Sequence, residues 1–248
     1  MDKSLADYLD GLLIALDPVA RFTQVIGTPD PWQREVLLAT AHEAPFLTVL
    51  ASRQTGKSTT VGCIAWDDLT HAKQVLIAAP SERQSKELLR RIVDFRNHDP
   101  APPRIIRSTM TEIEADNGGR VVCVPATDQA RGFTVDTLIL DEAAFLPDDS
   151  IAALLPMRRA AGRVLMISTP KGRSGFFYET WFANKVRRVF ARSVDSKRMA
   201  AKVAFDRKFM SDIRFRAEHL CEFLGSGVPL ISYEVLDQAL SAKRALVL

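Results

Sequence analysis

Between Phe46 and Thr60 the chain reads Phe-Leu-Thr-Val-Leu-Ala-Ser-Arg-Gln-Thr-Gly-Lys-Ser-Thr-Thr. The run 46–51 has the β-branched and aliphatic content of a buried strand. A short polar turn follows, and Gly56-Lys57-Ser58 opens a helix. Strand, turn and Gly-Lys-Ser helix start together describe a phosphate-binding loop, in which backbone N–H groups and the helix N-terminus face phosphate oxygens. Ser52, Arg53, Gln54, Thr55, Gly56 and Thr59 complete the expected cradle. Lys57 is placed to reach the β- and γ-phosphates of ATP, and the Ser58 hydroxyl to hold Mg²⁺. Ala51 stands where the common form of the loop has its first Gly.

The rest of the chain alternates helices with short apolar strands. Residues 4–16 put Leu5, Tyr8, Leu9, Leu12, Leu13 and Leu16 on one helical face, and Asp17-Pro18 is expected to end that helix. A helix over 32–41 turns Trp32, Val36, Leu37 and Thr40 inward. Residues 74–79 read as a buried strand, and Ser81 as the N-cap of a helix over 82–96. Short strands follow over 104–109, 112–115 and 120–124, the last two joined at Asn117-Gly118-Gly119. Apolar strands recur over 137–140 and 163–167, with a helix between them from Asp148 or Asp149 to about Arg159. A helix over 175–185, a strand over 186–194 and helices over 195–224 and 233–244 complete the reading. This alternation predicts an α/β fold, a mostly parallel central sheet with helices on both faces. With the loop it becomes a phosphate-loop NTPase (ASCE/RecA-like) fold over residues 1–195, followed by a small helical C-terminal subdomain over 196–248.

In such sheets chemistry gathers at the carboxyl ends of the strands. Leu138-Ile139-Leu140-Asp141-Glu142 places two acids at one of these ends. Asp141 is read as the Mg²⁺ ligand, and Glu142 as the carboxylate that orients and deprotonates a water for attack on the γ-phosphate. Ser168-Thr169-Pro170 follows the next apolar strand, where a hydroxyl is placed to sense the γ-phosphate and couple it to the segment beyond. Hydrolysis also needs a cation for the charge developing on the phosphoryl group. Arg53, inside the loop, and Arg131, ahead of the second motif, are the candidates. Gln33 has the donor and acceptor needed to read adenine.

Bulk properties exclude several classes. The 248 residues are 47% hydrophobic and 25% charged, the balance of an ordinary globular protein. No window approaches 18 unbroken apolar residues, so no membrane span is expected. Three scattered cysteines and four histidines show neither a disulfide framework nor metal-ligand spacing. Residues 171–216 carry thirteen Lys and Arg against Glu179, Asp195, Asp206 and Asp212. Within that stretch Lys171, Arg173, Lys185, Arg187 and Arg188 lie nearest the third motif and are the candidate DNA-binding surface.

Taken in order, Trp32-Gln33, Ser52 to Ser58, Arg131-Gly132, Leu138 to Ala143 and Ser168-Thr169-Pro170-Lys171-Gly172 resemble the large terminase subunit of tailed bacteriophages. The likeness covers roughly residues 30–235, and the Ser-Arg-Gln-x-Gly-Lys loop is that family's own form. The resemblance implies a DNA-packaging motor ATPase that works in the host cytoplasm and at the viral procapsid portal. It also implies a ring of copies, commonly pentameric, on double-stranded DNA, with the portal protein and the small terminase subunit as partners. It matches Arg131 to the place proposed for a finger acting in trans and Arg53 to the place proposed for one acting in cis. Of the two, Arg131 is favoured as the finger, with Arg53 as a sensor that couples ATP binding to movement. Members of that family continue into a nuclease. With only Glu218, Glu222, Glu234 and Asp237 left near the C-terminus, no nuclease activity is expected here. Two alternatives stand beside this reading: a helicase or translocase fragment of superfamily 2 type, which shares the Gln motif, the loop and the Asp-Glu strand end, and a nucleotide-dependent DNA-binding assembly module that does not hydrolyse.

Overall fold

A computed structural model describes residues 11–41, 44–127 and 132–225. Its centre is an eight-stranded sheet in the order β3-β4-β5-β2-β6-β7-β1-β8. The strands are β1 Phe46–Ala51, β2 Gln74–Ala79, β3 Ile105–Ser108, β4 Glu112–Ala115, β5 Arg120–Pro125, β6 Val135–Asp141, β7 Arg158–Ser168 and β8 Arg187–Ala191. All neighbours run parallel except β3 with β4 and β4 with β5. The antiparallel pair β4–β5 turns at Asn117-Gly118-Gly119. Gly118 has φ +89°, and a Cβ on Gly119 would meet the Leu69 carbonyl at 2.0 Å.

Helices cover both faces, as the apolar character of both sides of the strands requires. On one face lie α1 Pro18–Val25, α2 Pro31–Ala41, α3 Lys57–Thr70 and α4 Glu82–His98, packed on Leu47, Val49, Val75, Ile77 and Ile139. On the other lie α5 Asp148–Leu154 and α6 Phe176–Phe182, packed on Leu50, Leu76, Leu138, Leu140 and Met166. A buried ion pair closes the end of the sheet away from the loop. Asp68, fully buried, accepts two bonds from Arg163 at 2.6 Å each and one from Thr137 at 2.7 Å. Among the described residues no helix is long and apolar enough to cross a membrane.

Residues 11–16 are helical and that helix ends before Asp17, as expected; a second helix, α1, follows at once. Pro18 begins α1, and the Asp17 carboxylate caps it by accepting from Val19 N at 2.8 Å, since proline fits a first helical turn. Three expectations change. Helix α5 stops at Leu154, and β7 starts at Arg158, five residues earlier than expected. Ser193–Asp195 and Lys197–Met199 are single 3₁₀ turns, followed by α7 Ala200–Phe209 and α8 Asp212–Leu220. The helix expected over 233–244 lies outside the described residues.

Candidate phosphate-binding site

Strands β6, β7 and β1 are adjacent, so the three polar strand ends found in the sequence meet at one edge of the sheet. Ala51 is still strand, paired with Ala191 and fully buried. The turn begins only at Arg53, so no glycine is needed at position 51. Two residues then bend the chain: Gln54 has φ 59° and Gly56 φ 98°. A side chain at Gly56 would sit 2.9 Å from Gln33 Nε2. The Thr55 hydroxyl donates to the Ser52 carbonyl at 2.9 Å and closes the loop.

Lys57, 9% exposed, lies 3.2 Å from Glu142 Oε1. The other oxygen of Glu142 accepts from Ser168 Oγ, Thr169 N and Thr169 Oγ1, each at 3.3 Å. Glu142 is held in the left-handed region at φ 48° and ψ 44°, a conformation that costs a non-glycine residue about 1–2 kcal/mol. The strain turns its carboxylate back between the loop lysine and the third motif. Asp141, 5% exposed, has one carboxylate oxygen, Oδ1, with no hydrogen-bond partner among the described residues. Burial, together with the neighbouring Glu142 charge, pushes its carboxyl up to about 7 against the pull of Lys57. An orphaned, buried carboxylate at a strand end suits a hard divalent cation, and Ser58, next to Lys57, lines a cleft.

Lys57, Glu142 and Thr169 face this cleft, of about 730 Å³. Its walls include Arg53, Gln54, Gly56, Lys57, Ser58, Thr59, Glu142 and Thr169, as the sequence predicts, and also Arg83, Gln84 and Arg91 of α4. The α4 residues carried a readable signal, because α4 begins at the carboxyl end of β2.

Gln33 is not in the cleft wall. Its amide accepts from Asp30 N at 2.9 Å and donates to Thr60 Oγ1 at 3.0 Å, so it braces the loop helix. Arg53, in the cleft wall, also pairs with Glu218 of α8 at 3.1 Å. Ser52 is buried and bonded on its far side, donating to the His219 carbonyl at 3.1 Å and accepting from Ser193 N at 3.0 Å. Arg198 was not found from sequence. Its guanidinium donates to Asp30 Oδ2 at 3.0 Å and to the Thr55 carbonyl at 3.1 Å, so it grips the loop from outside. The DNA candidates have different surroundings. Lys171 lies over the Phe145 ring at 5.4 Å, Arg173 donates to the Phe223 carbonyl at 2.9 Å, and Arg187 pairs with Glu35 at 3.5 Å. Lys185 and Arg188 are exposed. Pro170 continues from the buried Ser168 and Thr169. Arg131 lies outside the described residues.

The parallel sheet, the loop and the paired acids define a phosphate-loop NTPase fold. A family model described as RNA cytidine acetyltransferase NAT10/TcmA, helicase domain, matches residues 48–207. The chain belongs to that family. The tRNA(Met) cytidine acetyltransferase TmcA of Haloferax volcanii is 34% identical over 130 residues, 52% of this chain. The chain spans only 17% of that curated relative's length. Among solved structures, the Thermus phage P74-26 large terminase ATPase domain superposes with a TM-score of 0.68 at 23% identity, covering 84% of this chain and 99% of that one. A DEAD box protein from the hyperthermophile Methanococcus jannaschii gives 0.53 at 11%, covering 92% and 75%. Both show the shared fold. The terminase resemblance therefore holds for architecture, while the family is that of the NAT10/TcmA helicase domain.

Proposed function

We propose that this chain is an ATP-hydrolysing module of helicase type, which uses Mg²⁺–ATP to move or remodel RNA. The observation that carries the reading is Glu142 held between Lys57 and the Ser168-Thr169 pair, one residue from the orphaned Asp141 carboxylate. Bound Mg²⁺ would supply charge neutralisation for the β- and γ-phosphates. Lys57 binds the γ-phosphate, and that contact competes with its pair to Glu142. Released from Lys57, Glu142 takes the proton of the attacking water as the bond from the γ-phosphorus to the bridging oxygen breaks. Because Glu142 also accepts from Ser168 and Thr169, its change of partner reaches β7 and the segment after it. RNA as the track is supported by the family.

A second reading, translocation of double-stranded DNA by a ring of copies on a procapsid portal with Arg131 acting in trans, is supported by the ordered motifs from Trp32 to Gly172. ATP turnover by the full chain, measured with single-stranded RNA and with double-stranded DNA, separates the two. The proposal expects stimulation by RNA. Stimulation by duplex DNA alone, rising with protein concentration, would favour the motor reading.

Arg198 supports the same site. A donor on the Thr55 carbonyl polarises the peptide that carries the Gly56 N–H, strengthening it as a phosphate donor. Arg198→Ala is expected to weaken ADP and ATP alike, by about tenfold, in a titration with a fluorescent nucleotide. Unchanged affinity would remove Arg198 from the site.

A further inference from the structure

Among the described residues strand β8 is an edge strand, paired only with β1. Alternate residues of a strand share a face, about 6.6 Å apart. Phe190 stands opposite Leu50 in the register, and Arg188 opposite Thr48. Leu50 belongs to the core on the α6 face, so Arg188 and Phe190 point to that face, at its open rim. Phe190 is 52% exposed and packs edge-on against Trp181 at 4.8 Å. Arg192 continues the spacing just beyond the strand. Beside this row lies a groove of about 510 Å³ lined by Phe190, Arg192, Tyr178, Phe182 and Phe223. Phe182 is 59% exposed. An exposed phenylalanine edged by arginines, over an aromatic groove, is not what a solvated rim requires. It offers ring faces for bases and guanidinium groups for phosphates, the combination that grips a single strand without reading its sequence.

We propose that this rim binds single-stranded RNA, with a base stacked on Phe190, a second against Phe182, and the backbone along Arg188 and Arg192. The charges around it are mixed. Arg192 holds Asp195 at 2.8 Å, Glu222 lines the groove and Glu35 pairs with Arg187. Phosphate must therefore take Arg192 from Asp195, and binding is salt-sensitive. The position ties the strand to the ATP site. The Ala191 carbonyl accepts from Ser52 N at 2.9 Å, and Ser193 N donates to Ser52 Oγ, so β8 ends on the phosphate loop itself.

The proposal rests on the RNA reading above, and its test is made by binding, without ATP. Fluorescence anisotropy with a labelled 20-nucleotide single-stranded RNA compares the parent chain with Phe190→Ala, Phe190→Tyr and Arg188→Glu, and far-UV circular dichroism checks folding. Phe190→Ala is expected to weaken binding about tenfold and Phe190→Tyr to keep it. Arg188→Glu is expected to lower the salt slope by about one. If the parent binds and all variants match it, the rim is not the site. If a duplex or single-stranded DNA of the same sequence binds tighter than the RNA, the occupant is wrong. A parent that binds RNA through Phe190 but never hydrolyses ATP sinks the proposed function and leaves this inference standing.

Discussion

Glu142→Gln is expected to lower ATP turnover by about 10²–10⁴-fold, the usual contribution of a positioned general base, while nucleotide affinity holds or rises. The amide keeps the shape of the side chain and can still accept from Ser168 and Thr169. It loses the proton-accepting charge and the ion pair to Lys57 at 3.2 Å. Without that pair Lys57 is available to phosphate from the start, so binding does not suffer. A phosphate-release assay beside a nucleotide titration separates the two effects. Turnover within threefold of the parent would mean that another group takes the proton.

Asp141→Asn is expected to move activity and stability in opposite directions. Turnover is expected to fall by about 10²-fold or more, because the proposed cation ligand is lost. Stability without ligand rises. The Asp141 carboxyl titrates near 7 in the folded chain against an ordinary value of 3.8, so between about pH 4 and pH 7 the folded state binds more protons than the unfolded one. Stability is therefore lost as pH rises through that window. The amide carries no such charge. At pH 8 a gain of about 2 kcal/mol, or about 4–8 °C in Tm, is expected, shrinking towards pH 5. A thermal melt at both pH values tests the sign, and a lower Tm for the variant at pH 8 would refute the account of Asp141 as a strained, buried charge.

What the sequence made legible was local. The path from Phe46 through the loop into α3 follows from one apolar run, one turn and one helix start, and Asp141-Glu142 and Ser168-Thr169 were readable because each directly follows a buried strand. The start of β7 was hidden because Arg158, Arg159 and Ala160 carry no apolar run, yet they extend the strand beside β6 after a shift of register. Residues 195–224 lack a strong apolar period. They are pinned by polar contacts instead: Ser193 and His219 to Ser52, Arg198 to Thr55, and Glu218 to Arg53. Those contacts join positions more than 140 residues apart, and no local pattern encodes them. They also add to the reading of Arg53, which lines the cleft as expected and in addition bridges the loop to α8 through Glu218.

Single-turnover conversion of ATP by the full chain, with protein in excess and Mg²⁺ present or chelated, tests the central claim most directly. The account predicts ADP and phosphate formed only with Mg²⁺, and their loss in Glu142→Gln under the same conditions. Nucleotide that binds at the loop and is recovered intact as ATP, with Mg²⁺ and single-stranded RNA both present, would contradict it.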